Sequence, residues 1–538
     1  MGRGQTVSES LNTHDRQNKE NFSGKVIRNT LFNTLGHVWS MGIRFYLTPY
    51  VALSIGNDRY GIWSIVGILS GYFSLLDLGL SRSFDKYLAE YYTKQDYQSF
   101  NKVVSIGFLY YVAFSMLMIG VVIIFHASIM DFLNWTLDRL DREVMEESKF
   151  AVIWSIVIFG WAMTSAVFGM VMTGLQRMDV INKIGMIASF FTLIGTIVVI
   201  EMGYGLRGLV INNGIIAVIG TVITLFAAYR LFPPLRINPF SIDWQMFRRM
   251  FTFGTKLQVA KLANLLTFQL DRPLISRYLH VGLAPPYHFS AGFIGSVRTI
   301  LLMIPSAVIP ATSELVARND SDRSYQFYER GTRYLVLIGT PVCIFSAVAA
   351  SLVIWTWLGR DYEMAQETIY LVQIVAFGYY ANLSTGVATG IAVGMGKPEY
   401  EMKFGMLLAL LSVVFSVTLI QTIGFYGPAV AMTLSLTICA LYFYRLFHNY
   451  LKRPLAPFLR RMYAIPLTAG GIAGLVTLGV QSVLVPYIDP NARVVSFSLL
   501  CGEGSLFMGL YIMMVMRTSY LDAYDRALFK RYAAKLGL

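Results

Sequence analysis

What most limits the folds open to this chain is a series of about fourteen stretches of roughly 20 apolar residues, each long enough to cross a bilayer core. They fall near 26–51, 60–81, 103–126, 150–173, 179–201, 207–230, 252–279, 287–311, 333–358, 366–393, 402–423, 427–446, 462–485 and 494–517. In 538 residues they leave no room for a large soluble domain, and only 14% of the residues are charged, against about 25% in soluble proteins. The expected class is an all-α membrane protein with about 14 transmembrane helices.

The net charge of +13 calls for a partner of opposite sign, either nucleic acid or a membrane surface. Distribution decides. With both termini placed inside, about 32 of the 44 Lys and Arg fall on the cytoplasmic side, the asymmetry of the positive-inside rule, so the charge is topological and no nucleic acid is implied. Arg230, Arg236, Arg248 and Arg249 crowd one cytoplasmic connection, whereas the longest outer loop, around Asp131 to Lys149, is acidic. The polar first 25 residues lack an apolar core, so no cleavable signal peptide is expected there. Cys343, Cys439 and Cys501 all lie in apolar stretches and read as buried hydrophobes, not as a metal or redox set.

Comparison of the chain with itself shows a repeat. Glu90-Tyr-Tyr-Thr-Lys-Gln-Asp96 is answered by Glu314-Leu-Val-Ala-Arg-Asn-Asp320, and Gly174-Leu-Gln-Arg-Met-Asp179 by Gly394-Met-Gly-Lys-Pro-Glu399. Tyr229-Arg-Leu-Phe232 recurs as Tyr444-Arg-Leu-Phe447. Six spans per unit is even, which predicts parallel repeats and two lobes with a cleft between them. The expected organisation is a disordered cytoplasmic tail (1–25), an N-lobe (26–232), an interfacial linker (233–251), a C-lobe (252–448), two further spans (449–518) and an amphipathic cytoplasmic tail (519–538).

Polar stripes show which faces are wet. On the first span Asn29, Asn33, His37, Ser40, Arg44 and Thr48 recur every three or four residues, and on the seventh Gln258, Lys261, Asn264 and then Asp271 with Arg272 do the same. A cation inside a bilayer costs between about 3 and 10 kcal/mol, so Arg44, Lys261, Arg272 and Arg298 need compensation. Lys261 lies about 14 Å from the cytoplasmic end of its helix and Arg298 about 16 Å from the outer end. One reading neutralises these cations with Asp77, Asp85, Asp271, Glu201 or Glu503, and Arg272 beside Asp271 is the best case for it. For Arg44, Lys261 and Arg298 the nearest carboxylates in sequence are distant and no span carries a matching acid, which favours an unpaired cationic cavity that awaits an anion. Arginine forks and a lysine point charge suit phosphate or pyrophosphate.

Other chemistries find little support. Gly390 to Lys397 reads GIAVGMGK, which misses the phosphate-loop spacing and continues into Pro398, so no ATPase is expected. No loop carries an evident acid, base or metal set for an enzyme, and His126, His280 and His288 lack ligand spacing.

The stretches Tyr60-Gly-Ile-Trp-Ser-Ile-Val, Leu76-Asp-Leu-Gly-Leu80, Lys86-Tyr-Leu-Ala-Glu90, Asp271-Arg-Pro-Leu-Ile-Ser276, Tyr287 to Gly292 and Pro310 to Asp320, in that order, resemble a Wzx-type polysaccharide repeat-unit flippase of the multidrug, oligosaccharidyl-lipid and polysaccharide (MOP) exporter superfamily. The resemblance implies two six-helix lobes around a central cationic cavity and two C-terminal helices. It also implies a bacterial cytoplasmic (inner) membrane protein, both termini cytoplasmic, that moves undecaprenyl-pyrophosphate-linked oligosaccharide to the outer leaflet by alternating access. Membrane lipids, a polymerase and a chain-length regulator of the same pathway are the further partners it brings. On this reading Arg44, Lys261 and Arg298, with Arg272 as a weaker candidate, hold the pyrophosphate, while Asn33, His37 and Asn264 line the cavity. Asp77 and Asp271 are candidates for coupling or gating. No cofactor is expected, and proton exchange through Asp77 or His37, a sodium site and the membrane potential all remain open as driving forces. Related lipid II flippases carry cations on the first, second and eighth helices, matched here by Arg44 and Arg298, but the second span has none before Arg82 at its end. The alternatives are therefore a lipid II flippase and a cation-coupled antiporter, although the first span lacks the carboxylate that multidrug antiporters of the superfamily use.

Overall fold

The computed structural model describes residues 35–36, 38–75, 80–238, 243–255, 258–303, 321–397, 399–487, 493–522 and 525. Their ordered elements are all helical. In the first compact unit, Met1–Gln258, these are α1 (38–55), α2 (Asn57–Leu75), α3 (Leu80–Thr93), α4 (Tyr97–Phe132), α5 (Arg142–Gly174), α6 (Met178–Glu201), α7 (Gly205–Leu231) and α8 (Trp244–Thr255). In the second, Val259–Leu538, they are α9 (Gln258–Gln269), α10 (Asp271–Tyr278), α11 (Pro285–Leu301), α12 (Ser321–Val348), α13 (Ala350–Trp357), α14 (Ala365–Ser384), α15 (Gly386–Gly394), α16 (Glu399–Ile423), α17 (Gly427–Leu451), α18 (Leu455–Leu484) and α19 (Arg493–Met516).

Eight helical segments among the described residues are long and apolar enough to cross a membrane: Tyr97–Phe132, Arg142–Gly174, Met178–Glu201, Gly205–Leu231, Arg323–Val348, Glu399–Leu451, Leu455–Leu484 and Arg493–Met516. Only 6% of the apolar window of α6 is buried, and Ile187, Phe190, Phe191, Ile194 and Val198 face outward. Such a surface is untenable in water and natural in lipid. The chain is a multi-pass membrane protein.

Other expected spans are broken or short. The seventh divides into α9 and α10 at Leu270, three residues before Pro273, which cannot donate to the preceding turn. The tenth divides into α14 and α15 at Thr385, whose hydroxyl donates to the Asn382 carbonyl, 2.8 Å, in competition with the helix backbone. The ninth breaks at Ala349 into α12 and α13.

Two segments that read as connections are amphipathic helices. In α3, Leu80, Phe84 and Leu88 are fully buried in one cluster with Phe100, Val103, Phe168, Phe232 and Met250. The Phe84 ring sits against Gly107 so closely that a Cβ there would collide with it. Ser83 Oγ donates to the Met250 carbonyl of α8, 2.6 Å. The chain between α7 and α8 is tied to α4 by Asn101, which donates to the Pro234 carbonyl and accepts from Arg236 N, and by Ser105 Oγ, which accepts from Asn238 N.

The Gly174 and Gly394 motifs fold into the same turn. Leu175, Gln176 and Arg177 donate backbone N–H groups to Val171, Thr173 and Met172, while Met395, Gly396 and Lys397 donate to Ile391, Val393 and Ala392. The third residue is left-handed in both, Gln176 at φ 57° and Gly396 at φ 71°. An ion pair closes each turn, Arg177–Asp179 at 3.0 Å and Lys397–Glu399 at 3.7 Å. The Glu90 motif ends a helix and starts another: Glu90 pairs with Lys94 at 2.6 Å, Gln95 adopts φ 56°, and Asp96 caps α4 by accepting from Ser99 N at 2.9 Å. Its counterpart at Glu314–Asp320 lies outside the described residues.

The hydrogen bonds from Ser99 hold the Asp96 carboxyl below its ordinary range, so its contribution is present above that range and is lost as pH falls through the lowered value. Asp96→Ala should cost about 1 kcal/mol and Asp96→Asn much less. Thermal unfolding in detergent at neutral and at acid pH checks this, with the wild-type advantage over Asp96→Ala shrinking in acid.

Candidate functional site

Arg298 lies about 20 Å from the start of α11 by helical rise. Its Nε donates to Asn382 Oδ1 of α14 at 2.8 Å, and its guanidinium carbon sits 4.8 Å from the centre of the Phe268 ring of α9. Tyr379, one turn before Asn382, packs its ring on Phe268 with centroids 5.4 Å apart. Neither contact supplies a negative charge. Among the described residues the terminal nitrogens of Arg298 have no hydrogen-bond acceptor and no carboxylate lies within 4 Å. A hydrogen bond to a charged group contributes about 1.5–3 kcal/mol and a desolvated cation–π contact about 2 kcal/mol. Together these match the lower figure for a cation in a bilayer, about 3 kcal/mol, so Arg298 is tolerated there with part of its donor capacity unused.

Phe268 also explains what the seventh-span stripe serves. Lys261, Asn264 and Phe268 follow at intervals of three and four, so the face of α9 that bears the first two also bears the ring stacked on Arg298. Asn264 is exposed. The Lys261 side chain lies outside the described residues, as do Asn33, His37 and Asp77.

In the first unit Arg44 is exposed on α1, and among the described residues no carboxylate comes within 4 Å of it. Part of the wet stripe is used for packing: Ser40 Oγ lies 3.3 Å from Ser189 Oγ of α6, and Thr48 Oγ1 donates to the Arg44 carbonyl, 2.7 Å. Trp39 Nε1 donates to the Met186 carbonyl of the same helix, 3.2 Å.

Two of the acids that would neutralise these cations are engaged elsewhere. Glu201 accepts from Tyr50 Oη at 2.7 Å and Asp85 from Thr173 Oγ1 at 3.0 Å, while Glu503 has no hydrogen-bond partner among the described residues. Asp271 lies beside Arg272, accepting from its backbone N at 2.9 Å, with 3.9 Å to its Nε. Arg272 is only 8% exposed and places Nη1 2.7 Å from His288 Nδ1 of α11. A guanidinium can only donate, so His288 Nδ1 accepts and the imidazole is neutral with its proton on Nε2. Asp271, Arg272 and His288 form a buried cluster of their own, unlike Arg298.

Sequence reasoning reached the cations and missed what holds them. Asn382, Phe268, Tyr379 and His288 carry no charge pattern, although the spacing of Phe268 after Lys261 and Asn264 is a usable signal.

Residues 26–316, which include the first unit's helices and the Arg298 helix, match the model of a family described as polysaccharide biosynthesis protein. The chain belongs to the polysaccharide biosynthesis protein family. Over 418 residues it is 21% identical to the "Putative O-antigen transporter" of Shigella flexneri, covering 77% of this chain and 96% of that protein. Its fold is similar to that of the lipid II flippase MurJ in an inward closed conformation, with TM-score 0.66 at 12% identity, covering 91% of this chain and 100% of that one. It is also similar to an inward-facing multidrug resistance MATE family transporter of the MOP superfamily, with TM-score 0.62 at 13% identity, covering 79% and 94%. The fold expected from the resemblance is thus met, the family is one of polysaccharide biosynthesis, and these relatives are named as transporters and flippases.

Within this family member the two kinds of arginine should separate on substitution. Arg272→Ala leaves Asp271 buried without its cation and should cost about 3–5 kcal/mol, seen as reduced membrane levels and a lower melting temperature. Arg298→Ala loses one amide contact and one ring contact and should leave both nearly unchanged. Equal losses of protein from the two would remove the distinction.

Proposed function

We propose that this protein is a flippase for surface polysaccharide biosynthesis, moving undecaprenyl-pyrophosphate-linked oligosaccharide repeat units from the cytoplasmic to the outer leaflet of a bacterial cytoplasmic membrane. On this reading fourteen spans, with both termini cytoplasmic, form two six-helix lobes and a C-terminal pair, and the lobes rock about a central cationic cavity in alternating access. Family membership and the O-antigen transporter relative support polysaccharide as the load. The observation that carries the anionic part is Arg298, fixed by Asn382 and Phe268, with its terminal donors unoccupied and no acid beside it among the described residues.

The chemistry follows from that geometry. Asn382 and the Phe268 ring restrict the guanidinium before any ligand arrives, so little side-chain freedom is lost when a pyrophosphate oxygen accepts from the remaining nitrogens. Arg44 and Lys261 provide further positive charge, with Arg272 as a weaker contributor, and Asn33, His37 and Asn264 offer hydrogen bonds to sugar. The lipid tail stays in the bilayer, so only the polar head must cross. Asp77 and Asp271 are the carboxyls we assign to coupling or gating, with proton, sodium or membrane potential as the driving force. A lipid II flippase would share the fold and the pyrophosphate chemistry, and differs in the head group attached to it.

Arg298→Ala and Arg44→Ala should each abolish complementation of an O-antigen flippase-deficient strain at unchanged membrane levels. Lysine at either position should rescue poorly, since it lacks the two-pronged fork. Asn382→Leu keeps the charge but frees it, and should give a partial loss. Normal surface polysaccharide in both alanine variants would sink the site, and rescue of a strain depleted of its lipid II flippase, without rescue of the first strain, would reassign the load.

A further inference from the structure

Of the acids weighed above as partners for the buried cations, Glu503 is the one whose carboxyl has no hydrogen-bond partner among the described residues. It sits on α19 in a buried stripe with Ser496, Phe507, Tyr511 and Val515, is 3% exposed, and both carboxyl oxygens lack a hydrogen-bond partner among the described residues. The stripe faces α12, α13 and α18 of the same unit. Next to Glu503, a Cβ on Gly504 would lie 3.3 Å from the Phe345 ring, and a Cβ on Gly474 of α18 would meet Val348 at 3.2 Å and Phe507 at 3.9 Å. Phe345 and Val348 are the last turn of α12, so Glu503 lies level with the break at Ala349.

No charge approaches it from any of these helices. α13 has no titratable side chain, and those of α18, Arg460, Arg461 and Tyr463, stand near its far end. On α12 the acids and bases lie between Asp322 and Tyr334, about 20 Å or more along the helix from Val348. Arg333 and Tyr334 there are bound to Asp525. Cys343 packs into the cluster of Leu383 and Phe443. On α19 itself Arg493 donates to the Leu358 carbonyl, Tyr511 Oη to the Leu337 carbonyl, and Cys501 is exposed. On α18 and α13, Gln481 Nε2 donates to Ser351 Oγ at 3.0 Å. Among the described residues no group of His, Cys, Asp or Glu could hold a metal.

An ionised carboxylate with no donor and no counter-ion costs several kcal/mol even after relaxation, whereas a neutral acid loses far less. We propose that Glu503 is a proton-binding site, neutral while α18 and α19 are packed on α12 and α13, and that it releases its proton to water when that packing opens at the Ala349 break. The ligand is a single proton, taken up as the carboxyl buries and returned as it hydrates, so the C-terminal helix pair is a pH-controlled element of the second unit. The assignment does not depend on what the protein transports.

The test uses the full-length protein in lipid nanodiscs. Infrared spectra taken from acid to alkaline pH should contain a protonated-carboxyl band that is missing in Glu503→Gln and gives way to carboxylate in the wild type as pH rises. Hydrogen-exchange protection of the α19 amides around Glu503, taken relative to the base-catalysed intrinsic rate at each pH, should fall at alkaline pH in the wild type and hold in Glu503→Gln, which is neutral at every pH. Should Glu503→Gln not reach the membrane, Glu503→Leu serves for both measurements. An unchanged protonated-carboxyl band in the variant, or protection that falls equally in both proteins, would overturn the proposal, and neither readout involves transport.

Discussion

A positive charge placed inside a membrane helix has to be solvated by something, and in this protein the choice of partner separates structure from function. Arg272 is solvated by a histidine nitrogen and a neighbouring carboxylate in a buried cluster. Arg298 receives an amide oxygen and a ring face, which together offset roughly the lower estimate of its transfer cost and do not cancel its charge. A residue held in that way is fixed in place and, among the described residues, keeps donor capacity that neither contact uses. The helix breaks have local causes of their own, Pro273 after Leu270 and the Thr385 hydroxyl that bonds the Asn382 carbonyl.

The same accounting run on acids gives the complementary result. Glu201 and Asp85 are met by hydroxyl donors. Glu503 is met by nothing among the described residues, and a carboxyl so placed is most stable with a proton on it. Among the described residues the second unit thus contains a cation with no acid beside it and, on separate helices, an acid with no hydrogen-bond partner. Both follow from one principle, that a low-dielectric interior admits a polar group only in the charge state its neighbours can satisfy.

Around these groups the packing is ordinary. The helix pair α18–α19 approaches α12 closely through Gly470, Ala473 and Gly474, and is tied at its end by Arg333 to Asp522 and Asp525 and by Tyr520 Oη to the Met462 carbonyl. In the first unit α3 and α8 close one end of the α4–α5 pair with fully buried Leu80, Phe84 and Leu88.

Local chemistry made much of this legible without coordinates. A lipid-spanning helix needs a long apolar run, so the spans could be read in order, and a helix-to-helix turn is encoded in a few consecutive residues, so the Gly174 and Gly394 motifs could be matched before their shared hydrogen bonds and left-handed third residues were seen. The cations without an acid on the same span, Arg44 and Arg298, were visible for the same reason. α3 and α8 were not, because a short amphipathic helix has the composition of a polar connection until something covers its apolar side. Nor were the partners: Asn382 stands 84 residues from Arg298 and His288 16 from Arg272, and an amide or a neutral imidazole carries no mark of which helix it will meet. Glu503 is the reverse case, an acid that a sequence reading can pair with a distant cation, and only the packing of three helices around it shows that no cation arrives among the described residues. Span order and charge content are properties of the chain, whereas the solvation of each buried charge is a property of the neighbours that folding brings to it.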